Sequence, residues 1–409
     1  MIETDRAAGV LDIGSDTVKF IIFSVSGIEK KIQILANTKI KTKGIKKGII
    51  SDLDKLSEIV KEAIGFAEDH SKVEINKIFI SISPINLFFV SFCQSKYIGD
   101  YEIDEVKDVQ FLVNSGINLF QSFNKEKKII HIFNYNLRLD KKNLVDNPCG
   151  LSADSLENDI GIIYCNKNIY KNFQKLIKKT YINFENFISA PYSLACSMFY
   201  ENPLADSILV IDFGHEKTSL SIFKNKNFIY SSTIPIGSWH ITNDISKCLN
   251  LNYDISEKLK IGYASCRIDN RKNSENFLDI DNDNKKFFKK ISNNILNRIV
   301  NSRIEELLDI INKEIVSINL NNTTFNKIIL TGKGSDIKDF DYLIKNNLKI
   351  KTHLTEKFST KLKSENNLEN DYDVCLSIVL LLKHKYQSEI SIIQKKKNTF
   401  FDKFYALFQ

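Results

Sequence analysis

The sequence predicts an α/β protein with at least two domains, and three observations support this prediction. The chain has 409 residues, which is too long for one compact core. A strand–turn–strand unit occurs twice, 200 positions apart, with an aspartate at the end of its first strand in both copies. An apolar strand ending near residue 331 runs into a glycine turn and then into a helical pattern, as αβ units do.

The duplicated unit is a β-hairpin with an Asp-x-Gly sequence at its turn. Asp12 and Gly14 close the first strand of one copy, and Asp212 and Gly214 close that of the other. Positions 10, 12, 14, 22 and 23 each match the same residue type 200 positions later, and a further β-rich run follows at residues 31–36 and 227–233. A single copy would be read as a plain strand end, but two copies in register favour a shared function.

The chemistry of these turns suits a phosphate ligand. A glycine turn exposes successive backbone N–H groups that bind anions, and an aspartate at the strand end can hold a hydrated Mg²⁺ ion. Two such turns that face each other would clamp a triphosphate. The candidate residues are Asp12, Gly14, Ser15, Asp16 and Thr17 in the first unit and Asp212, Gly214, His215 and Lys217 in the second, with Asp12 and Asp212 holding Mg²⁺ through water.

Two further elements fit the same site. Gly332, Lys333 and Gly334 form the glycine turn after the strand at 328–331, and a helix is expected from Asp336 to residue 343. Backbone donors at such a turn commonly meet the sugar or α-phosphate of a nucleotide, although many αβ units turn on glycine. Glu257 and Lys260 share one face of a helix, and the alternative for them is an exposed ion pair of little consequence.

Composition restricts the class of protein. Hydrophobic residues make up 43% and charged residues 26% of the chain, and no stretch of about 18 apolar residues is present. The N-terminus is polar and has no secretory pattern. Seven scattered cysteines are expected to be free thiols in a reducing, cytosolic compartment. The net charge of +7 is modest, and without a recognisable motif it does not indicate nucleic acid.

The motifs, in this order, resemble those of the actin, sugar-kinase and heat-shock chaperone superfamily, and longer stretches are similar to the FtsA family. The similarity runs from about residue 8 to residue 384 and includes the extreme C-terminus. It implies an actin-like (ribonuclease H-like) two-lobe fold, with an inserted FtsA-type subdomain in the first lobe and a C-terminal amphipathic helix. The matching stretches are residues 44–50, 80–83, 147–152, 234–237 and 241–245.

The resemblance also implies a function. The chain would be a cell-division scaffold that binds ATP and Mg²⁺, assembles with itself into filaments and anchors FtsZ through the FtsZ C-terminal tail. It would act at the division site, on the cytoplasmic face of the inner (plasma) membrane, and recruit other division proteins. Two alternatives are an FtsA-like assembly platform of the pilus system and a small-molecule kinase, for which no aspartate general base is identified.

Three departures from the family pattern bear on hydrolysis. His215, Glu216 and Lys217 stand where the family usually has a glycine-rich turn, and Lys333 replaces a second glycine in the third motif. Ala190 precedes Pro191, where many members carry a glutamate that is a candidate for positioning the attacking water. We therefore expect slow or absent hydrolysis, with the nucleotide as a structural ligand.

The resemblance divides the chain as follows. Residues 1–82 and 162–206 form the first lobe around one mostly parallel sheet, and residues 83–161 form the inserted subdomain. The second lobe is 207–370, with about 241–324 as its smaller, FtsZ-docking part; within it, residues 269–286 are expected to be a polar loop followed by a long helix. Residues 371–384 form a helix that returns to the first lobe, and residues 385–398 form a polar tether.

The last residues, 399–409, predict a membrane-binding amphipathic helix. Large apolar side chains recur at helical spacing after a run of three lysines, and Thr399 suits an N-cap. Such a short helix needs a surface on which to fold, either an anionic membrane or the body of the chain itself. The predicted membrane-binding residues are Lys395, Lys396, Lys397, Phe400, Phe401, Phe404, Tyr405, Leu407 and Phe408.

Overall fold

The computed structural model describes residues 7–26, 31–180, 182–268, 277–280, 289–320, 322–384 and 389–390. The strands are β1 Ala7–Ile13, β2 Thr17–Ser26, β3 Lys31–Lys41, β4 Ile45–Lys46, β5 Ile49–Ile50, β6 Lys77–Ile82, β7 Leu87–Tyr97, β8 Lys127–Leu139, β9 Asn143–Leu144, β10 Ser155–Asn166, β11 Asn183–Ser189, β12 Ser207–Phe213, β13 Thr218–Lys224, β14 Asn227–Ile234, β15 Phe277–Ile280, β16 Lys289–Ser292, β17 Thr324–Thr331, β18 Lys351–Lys357 and β19 Glu389–Ile390.

Helices alternate with these strands. The α-helices are α1 Leu53–Ser71, α2 Phe111–Phe123, α3 Lys167–Lys178, α4 Ala190–Glu201, α5 Ser238–Leu249, α6 Tyr253–Tyr263, α7 Asn293–Ser317, α8 Phe340–Asn347, α9 Lys361–Glu365 and α10 Asp373–Lys383. A π-helical turn, Glu105–Gln110, leads into α2, and 3₁₀ turns occupy Lys333–Asp336 and Asn370–Tyr372.

Two sheets with the same topology form the two lobes. Their strand orders are β11-β6-β1-β2-β3 and β14-β13-β12-β17-β18. The hairpin registers are also the same after a shift of 200 residues, since Asp12 lies opposite Lys19 and Asp212 lies opposite Ser219. The duplication seen in the sequence is therefore a duplication of fold, and it places both aspartates at equivalent strand ends.

The prediction that the first-lobe sheet is mostly parallel is wrong. β1 pairs in parallel with β6, and β6 with β11, but β2 is antiparallel to both β1 and β3. Each lobe therefore combines a three-stranded antiparallel meander with a parallel half. The Asp-x-Gly turns lie within the meander, next to the carboxyl end of the adjoining parallel strand.

The inserted region forms a third sheet, ordered β19-β8-β10-β7. Helix α2 packs on this sheet at Gly116, where a β-carbon would lie 2.5 Å from Ile160 Cδ1. The predicted subdomain boundary between residues 161 and 162 falls inside β10, which continues without a break from Ser155 to Asn166. β10 pairs with β7 from Ser155 to Cys165, and Ile163 and Cys165 near its end belong to the first-lobe core, so this strand of the insertion also packs on the first lobe.

The core is continuous between the lobes. Val210 of β12 belongs to the apolar cluster of the first lobe, together with residues of α4 and α10. Leu209 and Ile211 belong to the apolar cluster of the second lobe. This alternation is the period of two that a strand buried on both faces requires. Helix α10 lies against α4 and β1, and Ser193 Oγ and Ser377 Oγ hydrogen-bond at 2.8 Å between the two helices.

Two predictions for the second lobe have different outcomes. The long helix is present as α7, with Ile304, Leu307, Leu308, Ile311 and Ile315 buried and Ile299 and Ile318 partly buried. The stretch 269–286 is not simply a loop, because β15 within it pairs antiparallel with β16. The polar composition of this stretch concealed a four-residue strand, in which Leu278 packs against the second-lobe cluster.

The region after α10 also differs from the prediction. Within the segment 385–398, expected to be a tether that does not pack, β19 pairs with β8 of the inserted subdomain. The predicted membrane-binding residues from Lys395 to Phe408 lie outside the described residues. Among the helices that the structure describes, none has the length and apolar content of a membrane-spanning segment. All seven cysteines are free thiols, as expected.

The two faces of α7 give a test of the second-lobe core. Ile304 is 0% exposed and Ile295 is 52% exposed. Ile304→Ala should lower the free energy of unfolding by about 2–5 kcal/mol, because it leaves a cavity, while Ile295→Ala should change it by less than about 0.5 kcal/mol. Urea unfolding followed by circular dichroism measures both. Equal destabilisation by the two variants would contradict this packing.

Candidate functional site

The first turn joins β1 to β2 and is closed by its own backbone. Gly14 N–H donates to Thr17 O at 3.0 Å, and a β-carbon at Gly14 would lie 2.9 Å from the same oxygen. Asp12, which is 8% exposed, accepts a hydrogen bond from Lys19 Nζ at 3.0 Å. Burial lowers the pKa of Lys19, but the Asp12 carboxylate outweighs it and the net shift is upward.

The second turn repeats this geometry and is braced from behind. Gly214 N–H donates to Lys217 O at 3.0 Å, and the first amides of α5 bond back to the turn, Ser238 N to Gly214 O at 2.9 Å and Trp239 N to His215 O at 2.7 Å. A β-carbon at Gly237 would lie 2.3 Å from His215 O. Only glycine therefore allows α5 to approach so closely.

The two turns face each other across the cleft between the lobes. Desolvation raises the pKa of Asp212, Lys217 opposes that rise, and Asp12 of the other lobe adds to it. Desolvation lowers the pKa of Lys217 to about 8 against the attraction of Asp212 and Asp12. The Lys217 ammonium therefore interacts with the aspartates of both lobes. The interpretation of the duplicated turns requires that Asp12 and Asp212 meet at one cleft, and in the structure they do.

Asp16 links the first turn to the second in the same way. Its Oδ1 accepts a hydrogen bond from Lys41 Nζ at 2.5 Å. Burial alone would raise the pKa of Asp16, but Lys41 and His215 of the second turn hold it below its ordinary value. Burial lowers the pKa of His215. Ser15 completes the first turn beside these groups and is half-buried.

The Glu216 carboxylate of the second turn is bound by the opposite lobe. Its Oε2 accepts a hydrogen bond from the backbone N–H of Lys47, in the first-lobe turn between β4 and β5. Lys217 Nζ donates to Ser83 Oγ, at the end of β6. The turn that replaces the glycine-rich sequence thus makes two direct contacts with the opposite lobe.

Glu257 and Lys260 are not an exposed pair, so that alternative is wrong. On α6, Lys260 Nζ lies 2.8 Å from Glu257 Oε2 and 2.9 Å from Thr242 Oγ1, and Lys260 is 5% exposed. Burial lowers the pKa of Lys260, and the attraction of Glu257 and Asp16 partly offsets that shift. The pair is desolvated and lies beside the cleft. Removal of one partner alone would leave the other as an uncompensated buried charge.

The third turn packs directly on the second. Gly332 has φ +79°, and a β-carbon there would lie 2.6 Å from Asp212 Oδ1. A β-carbon at Gly334 would likewise lie 2.6 Å from the Phe213 ring. The helix expected from Asp336 is wrong in its start, because a 3₁₀ turn covers Lys333–Asp336 and α8 begins at Phe340. The turn therefore presents backbone, rather than a long helix, at the cleft.

Lys333 connects the third turn to the first lobe and to the segment before α10. Its Nζ lies 3.3 Å from Asp371 Oδ2 and 3.8 Å from Asp16 Oδ2. Asp371 also accepts a hydrogen bond from Lys39 Nζ at 2.6 Å. An open cavity of about 440 Å³ lies here, lined by Lys39, Lys333, Asp336, Glu369, Asn370 and Asp371.

All the predicted nucleotide-site residues thus lie on three turns and one helix around one cleft. Sequence reasoning missed Lys19, Lys47 and Ser83. Lys19 had a usable signal, because hairpin pairing places it opposite Asp12. Lys47 and Ser83 belong to other elements. These meet where Ile85 N–H donates to Lys47 O at 3.0 Å and where a β-carbon at Gly48 would lie 2.5 Å from Ser83 O.

Comparisons with known proteins agree with this architecture. A family model described as "Cell division protein FtsA" matches residues 209–369. A protein of that name from Buchnera aphidicola subsp. Acyrthosiphon pisum is 26% identical over 98% of this chain and 96% of its own length. Among solved structures, a PilM-PilN type IV pilus biogenesis complex has a TM-score of 0.63 at 13% identity, covering 91% of this chain and 97% of that one.

MreB5 of Spiroplasma citri, in a structure bound to ADP, has a TM-score of 0.52 at 12% identity and covers 92% of this chain and 96% of its own. These likenesses and the duplicated lobes around one cleft show an actin-like fold. Within that fold, the chain is similar to the FtsA family of cell-division proteins. The predictions of an actin-like fold and of a resemblance to FtsA cell-division proteins are confirmed.

Two glycines test the packing of the third turn. Gly332→Ala should lower the free energy of unfolding by about 1–3 kcal/mol, because its positive φ and its contact with Asp212 both exclude a β-carbon. Gly262→Ala, in α6 with nothing within 4 Å, should instead stabilise by about 0.5–1 kcal/mol. Thermal unfolding measures both. A neutral Gly332→Ala would show that the turn relaxes away from Asp212.

Proposed function

We propose that this chain is an actin-like division scaffold that binds ATP between its lobes. The observation that carries the proposal is the convergence of Asp12 and Asp212, each on a glycine turn, with lysines beside both. Glycine turns supply backbone donors for phosphate oxygens, and Lys19, Lys217 and Lys260 supply positive charge around them. The solved relative of the same fold bound to ADP supports a nucleotide in such a cleft.

We propose Mg²⁺ as the accompanying metal ion, and the donor groups of this chain fit it. Among the described residues, none donates a hydrogen bond to the Asp212 carboxylate, so its oxygens can accept from a hydrated cation. Asp12 keeps one carboxylate oxygen beyond the one that Lys19 contacts. Oxygen ligands and retained water suit Mg²⁺, and the ion would neutralise phosphate charge between the two aspartates.

The nucleotide is proposed to hold the lobes together, with slow or no hydrolysis. Ala190, the position where a water-positioning glutamate was sought, is 2% exposed and begins α4. Glu216 is engaged by Lys47, so it is unsuited to activate water at the phosphates. A small-molecule kinase would need a carboxylate general base that faces an open cleft. No aspartate is identified for that role in the sequence, which disfavours that alternative. The likeness to the pilus complex is one of fold alone.

The proposed partners follow from the similarity to the FtsA family. We propose that the chain assembles with itself, acts at the division site on the cytoplasmic face of the inner membrane, and binds the C-terminal tail of FtsZ through residues of about 241–324. The proposed anchor is the segment 399–409. Burial of each large apolar side chain contributes roughly 1 kcal/mol and each lysine near anionic lipid roughly 1 kcal/mol. Single copies would bind weakly, and many copies in a filament would bind tightly.

The nucleotide proposal is tested by Asp212→Ala, with Asp69→Ala on the exposed side of α1 as the control. We expect ATP in the presence of Mg²⁺ to bind Asp212→Ala roughly tenfold or more weakly, since one carboxylate of the cation site is removed. Isothermal titration calorimetry measures the affinity with Mg²⁺ and with a chelator. Unchanged affinity in Asp212→Ala would mean that the second turn does not serve the phosphates.

The membrane proposal is tested by co-sedimentation of the full chain and a chain ending at Lys397 with anionic vesicles. The full chain should pellet with the vesicles and the shortened chain should stay in solution, because the aromatic residues after Lys397 are removed. Neutral vesicles and raised salt serve as controls for the lysine contribution. Equal pelleting of the two chains would remove the proposed anchor.

A further inference from the structure

The chain after helix α10 is bound to the inserted subdomain through β19. Glu389 pairs with Phe133, and Ile390 with Ile132, in an antiparallel ladder along the edge of β8. The other edge of β8 is occupied by β10. A ladder of two residues contributes little by itself, so the side chains must account for this position.

The Glu389 carboxylate is held by two donors from different parts of the fold. Oε1 lies 2.6 Å from His131 Nδ1 on β8, and Oε2 accepts the Tyr192 hydroxyl of α4 at 2.8 Å. Ser189 N–H donates to His131 Nε2 at 3.0 Å. Because Nε2 is therefore an acceptor, the neutral imidazole carries its proton on Nδ1 and donates it to Glu389.

These donors are oriented and largely desolvated. His131 is 3% exposed and Tyr192 is 0% exposed, and their rings lie 4.8 Å apart, with Phe133 4.9 Å from Tyr192. Without the carboxylate, two buried donors would lose their acceptor, and such loss is costly. The arrangement is a carboxylate site built from the inserted subdomain and the first lobe together.

We propose that Glu389 is a latch that fixes the chain to the edge of β8, so that its last point of attachment among the described residues is β19 and not the end of α10. This goes beyond the proposed function. Release of Glu389 would move the last point of attachment back to the end of α10. Residues 384–390 would then join the free chain and lengthen its extended reach by roughly 20 Å, at about 3.3 Å per residue. The latch thus sets how much free chain lies between the fold and any partner that the last residues bind. It thereby sets the effective concentration of those residues at that partner.

Hydrogen–deuterium exchange of the full chain tests the latch. Glu389→Ala should speed exchange roughly tenfold in peptides that cover residues 389–390 and the β8 edge at 132–133, since the segment loses both side-chain bonds. Glu126→Ala is the matched control, because Glu126 is an exposed acid in the same subdomain. Peptides from α10 and β12 should exchange as in the unchanged chain in both variants.

Exchange at 389–390 and 132–133 that stays equal in Glu389→Ala and the unchanged chain would overturn the proposal. If Glu389→Ala speeds exchange throughout the protein, Tyr192→Phe decides, since it removes only one hydroxyl donor from the site. Faster exchange confined to the same two peptides in Tyr192→Phe supports the latch. No change there in a folded Tyr192→Phe overturns it. Neither nucleotide affinity nor vesicle binding enters this measurement, so its outcome is independent of those proposals.

Discussion

The neutralisation of Asp12 and Asp212 where the two hairpin turns meet is the constraint on which the cleft depends. Two carboxylates withdrawn from water and facing each other repel. Each aspartate has a lysine from its own hairpin, Lys19 or Lys217, to oppose that. The sheets, with equal topology and register, bring these four groups to one place.

The rest of the cleft is a set of close backbone contacts within the second lobe and side-chain contacts between the lobes. Gly237 and Gly332 leave no space for a β-carbon against the second turn, so α5, the second turn and the third turn form one rigid unit. Across the cleft, the second turn contacts the first lobe through polar groups, at Ser83 and Lys47. The apolar contact between the lobes lies elsewhere, at α4 and α10.

Much of this arrangement could be predicted from the sequence, because the 200-residue shift fixes the hairpin register and with it the position of both aspartates. The direction of the strands could not be predicted in this way, because a strand buried on both faces has the same apolar composition in a parallel or an antiparallel sheet. The strand Phe277–Ile280 was missed because its neighbours are polar. The predicted boundary between residues 161 and 162 falls within β10, whose end packs on the first-lobe core. The Glu389 site joins residues 258 positions apart, and no local pattern reports such a contact.

The hydrogen bond between Glu216 and the Lys47 main chain has a consequence for sequence divergence. The donor is a peptide N–H, so the side chain at position 47 takes no part in it. Any residue that tolerates the positive φ of 49° found there preserves the bond, and proline alone would abolish it for lack of a donor. The bridge therefore requires of the residue at position 47 only this backbone conformation, whereas it requires a hydrogen-bond acceptor in the side chain at position 216.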